Sequence, residues 1–215
     1  MDSQFIWHME EVLDIYERPY DKDLPVICFD ERPCQLIGDV LVPLPLEPGK
    51  PLRQDYHYER KGTCVVLLAV EPLTGTRIVE VRKQKTKTDY AEFMQKVSDH
   101  YETARKIILI QDNLNTHNPS SFYETYPAPI AFGLSQRFDM AYTPKKASWL
   151  NMAEIEFSAL SKQCLDRRID DIKKMDKEVR AWTRKRNKVK VKIQWQFTKT
   201  KARKKFDSRY QDLCL

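Results

Sequence analysis

The 215-residue chain has no stretch approaching about 18 consecutive apolar residues, which excludes a transmembrane helix. It also lacks the basic start and apolar run of a secretory signal, because MDSQFIWHMEEVLDIY carries acids where neither belongs. A cytoplasmic protein without membrane contact is the expectation. The five cysteines (Cys28, Cys34, Cys64, Cys164, Cys214) are odd in number and form no C-x-x-C pair, so neither a disulfide framework nor a zinc site is expected. Reduced, mostly buried thiols follow. The four histidines are dispersed, no H-E-x-x-H occurs and no internal repeat is visible. Acids are missing from one segment in particular. From Arg184 to Lys205 there are 11 Lys/Arg and no Asp/Glu, leaving 26 basic against 31 acidic residues elsewhere. The whole positive excess of +6 therefore sits near the C-terminus, which suits nucleic acid better than a small anion.

What is present divides into short buried runs and amphipathic stretches. Residues 2–17 place Phe5, Met9, Val12, Leu13 and Tyr16 on one side of a helix. VICFD (26–30), TCVVLLAV (63–70), TRIVEVR (76–82), KIILIQD (106–112) and RFDMAYTP (137–144) read as strands, the second and third joined in a hairpin through Gly75. Residues 43–53, with four prolines and Gly49, must form a loop. Helices are expected over 89–104 with Thr88 as N-cap, briefly after Pro119, over 149–167 capped by Ser148, and over 170–186. The alternation Val189, Val191, Ile193, Trp195, Phe197 suggests an extended strand, with Thr198 capping a last basic helix. The order predicts an α/β fold, a mixed sheet flanked by helices. The expected division is an N-terminal helix and connector (1–25), a catalytic domain (26–168) and a basic C-terminal extension (169–215).

Two buried strands end in aspartate, Asp30 and Asp112, and Glu154 opens a helix that follows a strand. Acids are disfavoured within strands but at strand ends project into the crevice where open α/β sheets bind ligands. Three converging carboxylates need a neutralising cation, and magnesium or manganese prefers such oxygen donors. Two ions about 3.5–4 Å apart would serve phosphoryl transfer. Composition alone allows the plainer reading that these acids cap helices or face solvent.

The stretches FDE (29–31), QDNLNTH (111–117) and YTPKKASWLNMAEIEFSAL (142–160) closely resemble DDE transposases of the mariner superfamily, in its bacterial insertion-sequence branch. There the first Asp ends strand one of an RNase H-like fold, the second opens D-N-x-x-x-H, and the Glu stands in S-W-L-N-x-x-E. The resemblance carries these roles to Asp30, Asp112 and Glu154 as catalytic metal ligands. It implies cut-and-paste DNA transposition with two Mg2+ or Mn2+ ions, double-stranded DNA ends and target as substrates, and a homodimer on paired ends. A bacterial cytoplasmic protein, nucleoid-associated when bound to DNA, is then expected. Family members also carry helix-turn-helix modules ahead of the catalytic domain, whereas 29 residues precede Asp30 here. The chain is thus expected to correspond to the C-terminal part of a split or truncated transposase.

Neighbouring residues carry open readings. Asn113 and His117 either orient Asp112, contact substrate phosphate, or only cap the loop. Asn151 belongs to the same supporting group, and Trp149 serves either core packing or base stacking. Glu156, roughly 200° from Glu154 on a helix, and Glu31, on the opposite side of its strand from Asp30, are expected to support the fold or the ligands without binding the same metals. Arg184, Lys185, Arg186, Lys190 and Lys192 are candidates for phosphate contact, against the plain reading of a solvated charged face. Where the family has small polar residues after D-E and His-Gly before S-W-L-N, this chain has Arg32-Pro33 and Lys146-Ala147. Arg32-Pro33 is expected to alter the end of the first strand. The alternatives to a transposase are a catalytically silent relic that binds DNA or a partner nonspecifically, and another nuclease of the same fold acting on RNA–DNA hybrids.

Overall fold

The computed structural model describes residues 2–41, 48–49 and 56–211. Five strands form one sheet: β1 (Val26–Asp39), β2 (Tyr58–Glu71), β3 (Thr76–Arg82), β4 (Ile107–Gln111) and β5 (Phe138–Tyr142), in the order β3-β2-β1-β4-β5. β1, β2 and β3 pair antiparallel, while β1, β4 and β5 run parallel. The expected mixed sheet flanked by helices is therefore present. β2 carries a nearly continuous apolar run because both of its faces are covered, so Val66, Leu68 and Val70 enter one core and Val65, Leu67 and Ala69 the other.

Helices α1 (Ser3–Glu17), α5 (Ala153–Leu160), α6 (Ile172–Val189) and α7 (Lys199–Lys205) supply one core layer. α2 (Lys87–His100), α3 (Ser120–Thr125) and α4 (Ala128–Arg137) supply the layer on the other face. α8 (Asp207–Gln211) ends the described chain. Among the described residues no helix is long and apolar enough to cross a membrane. The described cysteines Cys28, Cys34, Cys64 and Cys164 are free.

Several boundaries differ from the sequence expectation. β1 does not stop at Asp30 but continues to Asp39, because β2 stays paired along its whole length while β4 leaves after Cys28. Pro33 is tolerated there since β1 has become an edge on the β4 side, where no neighbour needs its missing N–H. Thr86 rather than Thr88 caps α2, in a capping box with Asp89. α4 was not foreseen, as its Ile130 and Phe132 are exposed and leave no clear apolar face. The helix expected over 149–167 is split into a 3-10 turn at Ser148–Leu150, then α5, then a π turn at Ser161–Leu165. The expected loop over 43–53 lies outside the described residues except Pro48 and Gly49, which form a turn.

The basic C-terminal segment packs as part of the domain. Met175, Val179, Trp182, Ile193 and Ala202 join the same core cluster as β1 and β2. Residues 189–197 are not a strand. α6 persists to Val189, which is 67 % exposed, and Lys190 ends the helix in a left-handed conformation (φ 52°). Gly75, at φ 76°, receives that turn: a Cβ there would lie 2.7 Å from the Lys190 carbonyl carbon and the Val191 oxygen.

Candidate active site

Asp30, Asp112 and Glu154 come from three separate segments that meet beyond the carboxyl ends of the parallel strands. Asp112 is the first residue past β4, and Asp30 lies two residues past Cys28, the last β1 residue paired to β4. Beyond that pairing the Asp30 side chain is free to face the crevice, although its backbone is still in a strand. It shares its face with Cys28, the face packed by α1 and α5. Burial pushes the Asp30 carboxyl up to about 7, and the charges of Glu154 and Asp112 push in the same direction. The N–H of Glu31, donated to Asp30 Oδ1 at 2.8 Å, works against them. Asp30 therefore senses both other acids. Glu154 itself is exposed in the first turn of α5.

Asn151 joins two of these segments. Its Nδ2 donates to the Phe29 carbonyl at 2.7 Å and approaches Asp30 Oδ2 at 3.4 Å, while its Oδ1 accepts the Ala153 N–H at 3.1 Å. Asn151, not Ser148, thus caps the start of α5 and ties it to β1. Arg32 adds a second tie at the other end of α5, donating to the Phe157 carbonyl at 3.3 Å and bonding Ser161 Oγ. Arg32-Pro33, expected to alter the strand end, instead extends β1 and anchors the helix that carries Glu154.

On the opposite face of β1, a charged chain runs inward to Asp112. Lys85 Nζ lies 2.8 Å from Glu31 Oε1, Glu31 Oε2 lies 3.5 Å from His117 Nε2, and His117 Nδ1 bonds Asp112 Oδ1. His117 is fully buried between the rings of Phe29 and Tyr90. Burial opposes its charged form, but the bonds to Asp112 and Glu31 outweigh this and raise its pKa to about 9. For Glu31, burial likewise opposes charge and is outweighed by His117 and Lys85, so its carboxyl sits below the usual range. The loop is also closed through Gln111, whose side chain accepts from Tyr90 and donates to the His117 carbonyl. Lys85 was missed from sequence because no local pattern links it to residue 31. Asn113, by contrast, is exposed and lines a cleft with Lys145 and Lys146.

Glu156 points away from Glu154 into the core, bidentate to Arg77 (2.7 and 2.8 Å) and to Arg186 (2.9 and 2.8 Å). This bears on one of the residues expected to contact phosphate. Arg186 is paired with Glu156, whereas Arg184, Lys185, Lys190 and Lys192 are exposed. Arg184 and Lys185 lie on α6, about 100° apart, whereas Lys190 ends that helix and Lys192 lies beyond it.

The donor set suits a hard divalent cation: three carboxylates, of which Asp30 is half-buried and has its pKa raised by burial and, in addition, by the charges of the other two. Among the described residues, however, no three His, Cys, Asp or Glu side chains are gathered closely enough to enclose an ion. An ion would have to compete with His117 for Asp112.

A family model described as DDE superfamily endonuclease matches residues 25–176. No curated protein matches the chain. Solved structures do: the Mos1 transposase paired-end complex with left transposon end superposes with a TM-score of 0.58 at 11% identity, covering 86% of this chain and 56% of that one. The Mos1 mariner paired-end complex with Mn gives 0.55 at 13% identity over 86% and 56%, and a pre-cleavage Mos1 transpososome 0.55 at 12% over 89% and 63%. The chain thus spans 56–63% of the length of these structures. At such identities the likeness establishes the fold, the RNase H-like sheet of the Mos1 transposase. With more than two thirds of its residues matched by the family model, the chain belongs to the DDE superfamily endonucleases.

Proposed function

We propose that this chain is the catalytic domain of a transposase that cleaves and joins DNA strands by phosphoryl transfer at Asp30, Asp112 and Glu154. The observation that carries the reading is the placement of three acids from separate segments beyond the carboxyl ends of the parallel strands: Asp30 past the β1–β4 pairing, Asp112 just past β4, and Glu154 in the first turn of α5, which Asn151 ties to the Asp30 strand. Two of the similar structures are described as Mos1 complexes with Mn and with Mg, which supports those ions here. Bound by the three carboxylates, a pair of such ions would activate the attacking water or 3′-hydroxyl and stabilise the leaving oxygen. Asn151 and Arg32 hold Asp30 and α5 in register, and His117 holds Asp112. Arg184, Lys185, Lys190 and Lys192 would contact the phosphate backbone. Action on transposon ends, a homodimer, a separate helix-turn-helix part, a bacterial insertion-sequence origin and a cytoplasmic location belong to the same proposal. The test is incubation of the purified chain with plain and pre-nicked duplexes and Mn2+. Cleavage or strand joining is expected, and Asp112→Asn should abolish it. No product at any salt concentration would count against the reading.

One observation favours a second reading, a catalytically silent relic: Asp112 is held by His117 and the three acids are not gathered into a ligand cluster. Calorimetry decides between the two. Uptake of Mg2+ or Mn2+ that is lost in Asp30→Asn supports the enzyme, and no uptake supports the relic.

A further inference from the structure

The turn that precedes Glu154 opens on a second feature that phosphoryl transfer does not use. Trp149 is 45 % exposed, although it lies between the buried residues Ala147 and Leu150. Its ring meets Phe197 edge-on at 5.5 Å, and Phe197 meets Phe206 at 6.5 Å. With Trp195 and Lys205 these rings line a cleft of about 460 Å³. Lys205 Nζ stands 5.8 Å from the Phe197 ring and 5.7 Å from the Phe206 ring. Trp195 is fixed: its Nε1 donates to the Phe197 carbonyl at 2.6 Å, and its ring packs on Tyr16, whose hydroxyl donates to the Leu150 carbonyl at 2.7 Å. The wall of the cleft is thus tied to the turn that leads into Asn151 and Glu154.

We propose that this cleft receives an unpaired nucleobase of the DNA strand next to the reacting phosphate. The inference rests on the DNA-joining reading and names a subsite for it. Flat aromatic faces beside a basic groove are what binds single-stranded nucleic acid, because every base has a π-face and every linkage a negative charge. The charge is suitable. The segment from Arg184 to Lys205 holds no acid, and among its described residues Lys204 and Lys205 have no carboxylate partner. An apolar protein partner would meet this same basic rim at a cost, whereas a nucleotide gains from it. The position is suitable as well, since Trp149 is five residues from Glu154 and two from Asn151, which bonds Phe29 and approaches Asp30. Strand cleavage and joining next to a duplex end leaves the bases at that end free to unstack.

The test is equilibrium binding of the full chain, without metal, to three oligonucleotides: a blunt duplex, the same duplex with a short unpaired 3′ tail, and the tailed duplex with abasic tail positions. The tailed duplex should bind about tenfold tighter than the blunt one and quench tryptophan fluorescence, and the abasic tail should lose most of that gain. Trp149→Ala should bring tailed affinity down to the blunt level and leave blunt binding unchanged, while Trp149→Phe keeps part of the gain. Lys205→Gln, on the exposed rim, should lower tailed affinity a few-fold with the fold intact. An abasic tail that binds as well as the base-bearing tail overturns the proposal, as does an equal loss on both duplexes in Trp149→Ala. Blunt-duplex binding with no gain from the tail overturns this subsite alone. Absence of all DNA binding overturns the DNA-joining reading with it.

Discussion

Glu154 and Glu156 stand two positions apart at the start of one helix and occupy opposite environments. Glu154 is exposed at the crevice, where its charge adds to the effect of burial on Asp30, while Glu156 is fully buried between Arg77 and Arg186. The roughly 200° between them on a helix separates chemistry from anchorage. The Arg77–Glu156–Arg186 cluster joins α5 to β3 and α6, so it positions Glu154 without touching the crevice.

The two glutamates should therefore fail differently. Glu156→Ala strands the buried Arg77 guanidinium and the partly buried one of Arg186 and is expected to cost about 3–5 kcal/mol, read as a lower urea midpoint. Glu154→Gln should leave the unfolding free energy within about 0.5 kcal/mol of the parent, as for exposed positions generally, and abolish Mn2+-dependent cleavage. A stable Glu156→Ala protein would contradict the burial argument.

Asn151→Ala removes the bonds to Phe29 and Ala153 together with the approach to Asp30. Metal affinity is expected to fall roughly 10- to 100-fold, as for other groups that orient ligands. Loss of the cap should cost about 1 kcal/mol. Calorimetric titration with Mn2+ alongside thermal melting separates the two effects.

The raised pKa of Asp30 predicts a pH window. Its folded value of about 7 lies above the unfolded carboxylate value of about 3.9. The group therefore contributes stability that is fully present below about pH 3.9 and lost as pH rises through about 7. Metal uptake runs the other way, because an ion must displace the proton below about 7. Mn2+ affinity should weaken about tenfold per pH unit below that point, with release of close to one proton. Affinity that stays flat from pH 5 to about 8 would disprove the assignment of Asp30.

Gly75→Ala is expected to destabilise by roughly 1–3 kcal/mol, since a side chain would adopt a positive φ. It would also press on the Lys190–Val191 backbone at 2.7 Å. Chemical denaturation measures this directly.

Among the basic residues, Lys190→Gln and Lys192→Gln should each reduce the slope of log K against log salt by about 0.9 if each neutralises one phosphate. Arg186→Gln should lower stability first, because it unpairs one side of Glu156. Duplex binding measured across a salt series distinguishes these outcomes.

Much of the fold was legible in the sequence. The runs 63–70 and 106–112 are strands because an apolar run bounded by turn residues has few other solutions, and α1, α2 and α6 follow from their apolar spacing. The D-N-x-x-x-H and S-W-L-N-x-x-E segments singled out Asp112 and Glu154. The alternation over 189–197 misled, because the segment pairs with neither β3 nor β5, the edge strands of the sheet. Among the described residues it meets the sheet layer through the Ile193 N–H donated to the Pro72 carbonyl and through the Val191 carbonyl, which accepts from Arg77.

The sequence by itself determined where chain segments bury apolar side chains and which acids stand at the ends of buried runs, since both depend on residues adjacent in the chain. Only the tertiary structure decided that β1 runs on past Asp30, that Lys85 and Glu31 lead to His117, and that Arg186 pairs with Glu156. Those partners lie tens of residues apart, 79 in the case of Arg77 and Glu156. Which charges meet across such distances is set by strand order and helix packing, for which periodicity along the chain carries no signal.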